Sequence, residues 1–231
     1  MDVAEFDRFA DEYLATHAKN IAVSGESPEY FARYKIDEIR RVWRARGTPD
    51  PATILDFGSG IGASVPHLRH NFPAAEIIAT DVSRRSLEIA AHRHPGEARF
   101  ELYAGSGPPA PPASVDLAFS ACVFHHIEAQ EHVGLLSALH GALRPGGALV
   151  IFEHNPLNPV TQHIVATCPF DENAVLIPAG VLRRRLKAAG FSKVEIAYTG
   201  FFPAPLKALR PLEPMLRGLP IGAQYYALAH A

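Results

Sequence analysis

Two apolar patterns alternate along this chain. Short, nearly unbroken apolar runs fall at residues 53–57, 76–81, 99–103, 115–122, 148–152 and 193–198, with a further run at 223–229. Runs of that length bounded by glycine, proline or acidic residues predict buried β-strands. Between them the apolar positions recur at helical spacing. Val133, Leu136, Leu139 and Leu143 mark a helix over 128–143, and further helices are predicted over 63–71, 84–92, 159–166 and 178–189. Ahead of the first strand, Phe6, Phe9, Tyr13 and His17 place one aromatic stripe on a helix over 2–19. A second helix starts at Ser27-Pro28-Glu29, where a capping hydroxyl, a proline at the first position and an acid in the first turn coincide. Its face is Phe31, Ile36, Ile39, Val42 and Trp43, and Gly47, Pro49 and Pro51 end it. Near the C-terminus, leucines 206, 209, 212 and 216 interleave with Lys207, Arg210 and Arg217. Pro211 and Pro214 break that run into short pieces.

Strand and helix alternating in this way predict an α/β fold, a doubly wound, mostly parallel sheet with helices on both faces. A single domain is expected over residues 1–231: a helical cap at 1–47, a core at 50–200, and a closing helical segment with the last strand at 201–231. In a parallel sheet the carboxyl ends of the strands share one edge, where ligands bind. Gly58 to Gly62, Asp81, Ala104, the pair His125 and His126, and Glu153 to Asn155 are therefore expected to be neighbours in space.

The turn after the first strand, Gly58-Ser59-Gly60-Ile61-Gly62-Ala63, bares the backbone at alternate positions. It satisfies a dinucleotide fingerprint with alanine in the last small position, so the glycines alone leave nicotinamide and other nucleosides open. Asp56, two residues ahead of Gly58, changes that balance. A carboxylate there repels a pyrophosphate but favours a cation, and S-adenosylmethionine carries a sulfonium and an ammonium and no phosphate. Asp81 lies 19 residues past Gly62 at the end of the second strand, the separation at which an acid meets a ribose. The alternative reading of Asp81 is a cap for the helix that follows.

Composition narrows the remaining classes. The 231 residues are 48% hydrophobic and 20% charged, ordinary globular values that suggest no membrane span. A formal net charge of -2 gives no electrostatic case for nucleic acid. Only Cys122 and Cys168 occur, without CxxC spacing, which argues against a disulfide framework or structural zinc. The acidic, amphipathic N-terminus is unlike a secretory signal, and a cytoplasmic protein is expected. Oligomeric state is not legible.

With these pieces placed, the chain resembles the class I S-adenosylmethionine-dependent methyltransferases, in particular their small-molecule (type 11/12-like) branch. The glycine turn, the ribose acid, the strand before His125-His126, and Leu143-Arg144-Pro145-Gly146-Gly147 carry the resemblance in series across about residues 50 to 200. It implies a seven-stranded Rossmann-like sheet with its last strand antiparallel, and S-adenosylmethionine as cofactor. Gly58, Gly60 and Gly62 would lie against the methionine part with Asp56 near its ammonium, Asp81 would accept from the ribose, and Val82 would pack on adenine. Ala104 stands where relatives often carry an acid for the adenine amino group, so backbone there takes that role. Cys122 completes the cofactor set.

Methyl transfer asks a protein mainly to align nucleophile, methyl and sulfur and to exclude water. An acceptor hydroxyl, thiol or protonated amine must also lose a proton, and His126, then His125 and His154, are the candidate bases. Tyr13, Tyr30, Tyr34 and Asn155 are the candidate substrate contacts. Glu153, His154 and the histidine pair are of metal-ligating type, but no HxxxH or CxxC spacing supports them, and no metal is expected. Residues 120–124 lack the Asn/Asp-Pro-Pro-aromatic run of nucleic-acid amino methyltransferases. The expected activity is methyl transfer to an O, N or S nucleophile of a small molecule; the rivals are a nicotinamide oxidoreductase and a non-catalytic donor-binding module. The 205–217 pattern leaves peripheral contact with a membrane surface open.

Overall fold

The computed structural model describes residues 13–105 and 107–231, and the side chain of Tyr13 lies outside what it describes. Seven strands form one sheet: β1 (Thr53–Phe57), β2 (Glu76–Asp81), β3 (Arg99–Leu102), β4 (Val115–Ala121), β5 (Leu143–His154), β6 (Lys193–Thr199) and β7 (Gln224–His230). Their spatial order is β3-β2-β1-β4-β5-β7-β6. The first five strands pair parallel, and β7 inserts antiparallel between β5 and β6. The order reverses between β1 and β4, which opens a crevice at the carboxyl end of β1.

The central strands are apolar throughout because each face is covered. Ile54, Ile77, Leu117, Phe119, Val150, Phe152, Tyr226 and Leu228 point into one apolar cluster; Leu55, Phe57, Ile78, Ala118, Leu149, Ile151, Tyr225 and Ala227 point into the other. This period of two is interrupted once. A register shift between Val115 and Leu117 turns Asp116 outward, where it accepts hydrogen bonds from the Ala52 and Thr53 amides and pairs with Arg144.

Helix α1 (Tyr13–Asn20) is followed by α2 (Pro28–Ala45), whose N-cap Ser27 accepts from the Tyr30 amide as the sequence predicts. Ile36, Ile39, Val42 and Trp43 bury α2 on the first cluster together with Leu68 and Phe72 of the α3 region; α3 itself spans Val65–Asn71. Helix α4 (Arg84–Arg93) packs beside β2 and β3. Helices α5 (His132–Ala142) and α7 (Ala179–Ala188) cover the opposite face through Leu136, Leu139, Leu182 and Leu186. Helix α6 (Pro159–Ala166) is the short one predicted, and the proline-broken C-terminal run is a 3-10 stretch, Ala204–Leu212, leading into a single turn, α8 (Glu213–Leu216).

The start of β5 differs most from the sequence reading. Leu143 leaves the helix and begins β5, pairing with Val115, while residues 144–147 bow out before Ala148 pairs with Leu117. Pro145 cannot donate to the ladder and Gly146 takes φ +80°, so the chain makes an excursion within a strand rather than a turn before it.

Candidate active site

The crevice has two halves, and β1 with β2 builds the first. Gly58 and Ser59 donate their amides to the Thr80 carbonyl at 2.8 and 3.0 Å, which draws the glycine turn over the end of β2. Gly58 adopts φ +78°, and a Cβ there would overlap Val123. Gly60 has φ +52° with open space where its side chain would be. The Gly60 amide donates to Asp81 Oδ2 at 2.8 Å, and Asp81 Oδ1 accepts from the Ser83 amide. Asp81 thus braces the turn, while the helix cap is Ser83, which accepts from Ser86.

Asp56 is 1% exposed, and its Oδ2 has no hydrogen-bond partner. Burial, reinforced by the neighbouring Asp81 charge, pushes its carboxyl up to about 8. A buried acid left without a donor, beside a glycine turn facing open space, fits a ligand that brings positive charge and lies against backbone. S-adenosylmethionine is such a ligand, and Asp56, Gly58, Gly60 and Asp81 are the residues that would hold it. Gly62 does something else as well: it is buried, and a Cβ would press on His94 and Ala90 of α4, so its bareness lets the turn pack against that helix. Val82 is half-buried beside Asp81, and Ala104 is exposed at the far end.

The second half stands on β4 and β5. Cys122 closes β4 in left-handed backbone, φ +58°, unusual for a residue with a side chain. A 3-10 turn, Phe124–His126, then delivers the two histidines. Glu153 is fully buried; its Oε1 accepts from the Phe124 amide at 2.9 Å, and its Oε2 accepts from His125 Nδ1 at 2.6 Å. Burial opposes the charge on Glu153, yet His125 outweighs it and holds the carboxyl below the usual range. His125 is raised well above its ordinary value, since Glu153 and Asp171 overcome the burial that works against its charge.

Asp171 arrives on a separate 3-10 turn, Pro169–Asp171, and sets Oδ1 at 3.4 Å from both His125 Nε2 and His126 Nε2. Burial, followed by the adjacent His125 charge, lowers His126 to about 4. His154 lies with its ring 5.2 Å from that of His125, tilted by 45°, and Cys122 Sγ accepts from Gln224 Nε2 at 3.5 Å. Burial would raise the Cys122 thiol, but Lys35 and His154 more than offset it and bring it to about 7.

Helix α2 meets the C-terminal segment, and its Lys35 lies close enough to Cys122 to act on the thiol. Tyr30 and Tyr34 stack at 6.0 Å, and Arg210 lies over the Tyr30 ring while pairing with Glu26. Burial pushes the Tyr34 hydroxyl upward, so it stays protonated. Asn155 is buried, and its amide is committed to the fold: Nδ2 donates to the Pro220 and Gly222 carbonyls, and Oδ1 accepts from Leu157. That changes its expected role from substrate contact to anchor of the turn before β7. Two residues absent from the sequence reading join the site, Asp171 and Lys35. A groove of about 550 Å³ lined by Arg46, Glu195 and His230 lies at the opposite edge of the sheet, remote from this chemistry.

The strand order, the glycine turn and the acid ending β2 match the Rossmann-like fold of solved S-adenosylmethionine-dependent methyltransferases. Residues 54–147 match the family model described as a methyltransferase domain. A trans-aconitate 2-methyltransferase of Variovorax paradoxus is 28% identical over 63% of this chain and 58% of its own. A malonyl-[acyl-carrier protein] O-methyltransferase of Methylococcus capsulatus is 30% identical over 64% of this chain and 54% of its own. The chain thus spans little more than half the length of these curated relatives. In fold it matches, at 17% identity and TM-score 0.68, a possible histamine N-methyltransferase from Thermotoga maritima, with 98% of each chain covered. No described helix is long and apolar enough to cross a membrane.

Proposed function

We propose that this chain transfers a methyl group from S-adenosylmethionine to an oxygen, nitrogen or sulfur nucleophile of a small molecule. The observation that carries the reading is the orphaned carboxylate of Asp56 at the switch point of the sheet. A phosphate-bearing nicotinamide cofactor would meet that acid as a repulsion; a cationic donor relieves it. The bound donor supplies a methyl on a sulfonium that departs as a neutral thioether.

The chain's own residues then divide the work. The glycine turn and Asp81 hold the donor. His126, whose pKa near 4 leaves it neutral at physiological pH, is a group able to take the acceptor's proton, with His125 and His154 beside it. Tyr30 and Tyr34, with Tyr13 at the start of α1 as a further candidate, close the acceptor side against water. The relatives' names make trans-aconitate and malonyl-[acyl-carrier protein] the first acceptors to try. We place the protein in the cytoplasm, in keeping with its two free cysteines, and assign it neither nucleic-acid nor membrane partners.

The test is a thermal shift with S-adenosylhomocysteine against NADH, followed by turnover on a panel of carboxylic acids, phenols, thiols and amines. Stabilisation by the first ligand alone, lost in Asp81→Ala, is expected. Stabilisation by NADH instead would overturn the assignment, and donor binding without turnover on any acceptor would favour a binding module.

A further inference from the structure

We propose that His125, His126 and Asp171 form a binding site for one divalent transition-metal ion of the zinc class. The three ligand atoms, two imidazole Nε2 and one carboxylate oxygen, all lie within 4.8 Å of one another. They come from two turns far apart in sequence, which is why no ligand spacing is visible in the chain.

Three features distinguish this arrangement from a plain ion pair. First, Asp171 Oδ1 stands 3.4 Å from each Nε2, beyond the 2.7–2.9 Å of a charge-assisted hydrogen bond. It is close to the roughly 3.3 Å that two ligands about 2.0 Å from a tetrahedral ion subtend. Second, His125 is already oriented. Its Nδ1–H is given to Glu153 at 2.6 Å, and Glu153 is itself fixed by the Phe124 amide, so Nε2 is the atom turned toward Asp171. A carboxylate behind a histidine is the usual outer shell of such sites. Third, the ligands are sheltered: His125 is 1%, His126 14% and Asp171 12% exposed at the side chain.

Two imidazoles and one carboxylate favour zinc, iron(II) or cobalt over magnesium or calcium. Three protein ligands leave a position open, the arrangement of a reactive rather than a structural ion. If the methyl-transfer reading also holds, His126 serves there as ligand rather than base: an acceptor hydroxyl or thiol ligating the open position loses its proton to solvent, and its oxygen or sulfur takes the methyl as the carbon–sulfonium bond breaks. The metal site itself does not depend on that reading.

The experiment uses tag-free, chelator-stripped full-length protein titrated with Co²⁺, read by visible absorption, and with Zn²⁺, read by calorimetry. One equivalent of Co²⁺ giving intense tetrahedral bands, displaced by Zn²⁺, is expected. Asp171→Ala and His126→Ala should each weaken Zn²⁺ binding 10-fold or more, while His163→Ala, on the exposed side of α6, should leave it unchanged. Circular dichroism and S-adenosylhomocysteine binding establish that the variants are folded and report the donor site separately. Absence of the bands, or bands and stoichiometry that persist in Asp171→Ala, would overturn the metal site while leaving the donor assignment standing.

Discussion

Asp56 and Glu153 stand near the carboxyl ends of two strands flanking β4, at 1% and 0% exposure, and they behave in opposite ways. Burial penalises both charges. Glu153 has a backbone amide and an imidazole to answer it and is held below its ordinary range; Asp56 has an oxygen with no donor and is pushed up to about 8. Partners rather than depth decide the charge state of a buried acid. The satisfied acid positions a histidine, and the unsatisfied one is left for a ligand to complete.

The largest break in that comparison should come from Glu153→Ala, which strands the Phe124 amide and a buried imidazole. A loss of about 3–5 kcal/mol in denaturant unfolding is expected. Asp56→Asn should act in the other direction. A carboxyl with a raised folded-state value contributes stability that is whole below its unfolded value near 3.8 and is lost as pH rises through about 8. The variant should therefore be more stable than the parent above pH 8, while binding S-adenosylhomocysteine at least 10-fold more weakly. A variant that unfolds more readily than the parent at high pH would show that Asp56 has a partner after all.

Gly58→Ala should cost about 2 kcal/mol, since both its φ of +78° and Val123 oppose a side chain. Gly60→Ala meets only the backbone term and should cost about 1 kcal/mol, with its main effect on donor affinity. Comparative melting of the two, with and without S-adenosylhomocysteine, separates packing from ligand approach. The smallest effect is expected from Asn155→Ala, about 1 kcal/mol of stability without a change in donor affinity, as its amide is spent on Leu157 and the turn before β7.

Most of the architecture was legible because two periods were clean. Ile54 and Leu55, or Val150 and Ile151, alternate between the two clusters, and parallel pairing then fixes which strand ends meet. The proposal of a donor site rests on that edge and on Asp56. What escaped the sequence was set by tertiary contact. Asp171 sits on a turn with no period to flag it, and Lys35 lies on a helix whose polar face looks like solvent. Gly62 and Asn155 were placed correctly at the edge, but their packing against α4 and the turn at residues 220–222 depends on segments distant in the chain. Leu143 was read as a helix end because a strand that begins, bows out for four residues and resumes leaves no alternating signature.

Tyr30, Tyr34 and Lys35 all come from α2, which precedes every described strand, whereas Asp56, Gly58, Gly60 and Asp81, proposed to hold the donor, stand at the ends of β1 and β2. Inheritance can therefore redraw the roof of the acceptor chamber by altering one leading helix, while the nucleoside berth on the sheet remains as it was. Exchanging that helix between homologues is the natural place to look for new acceptors on an old chassis.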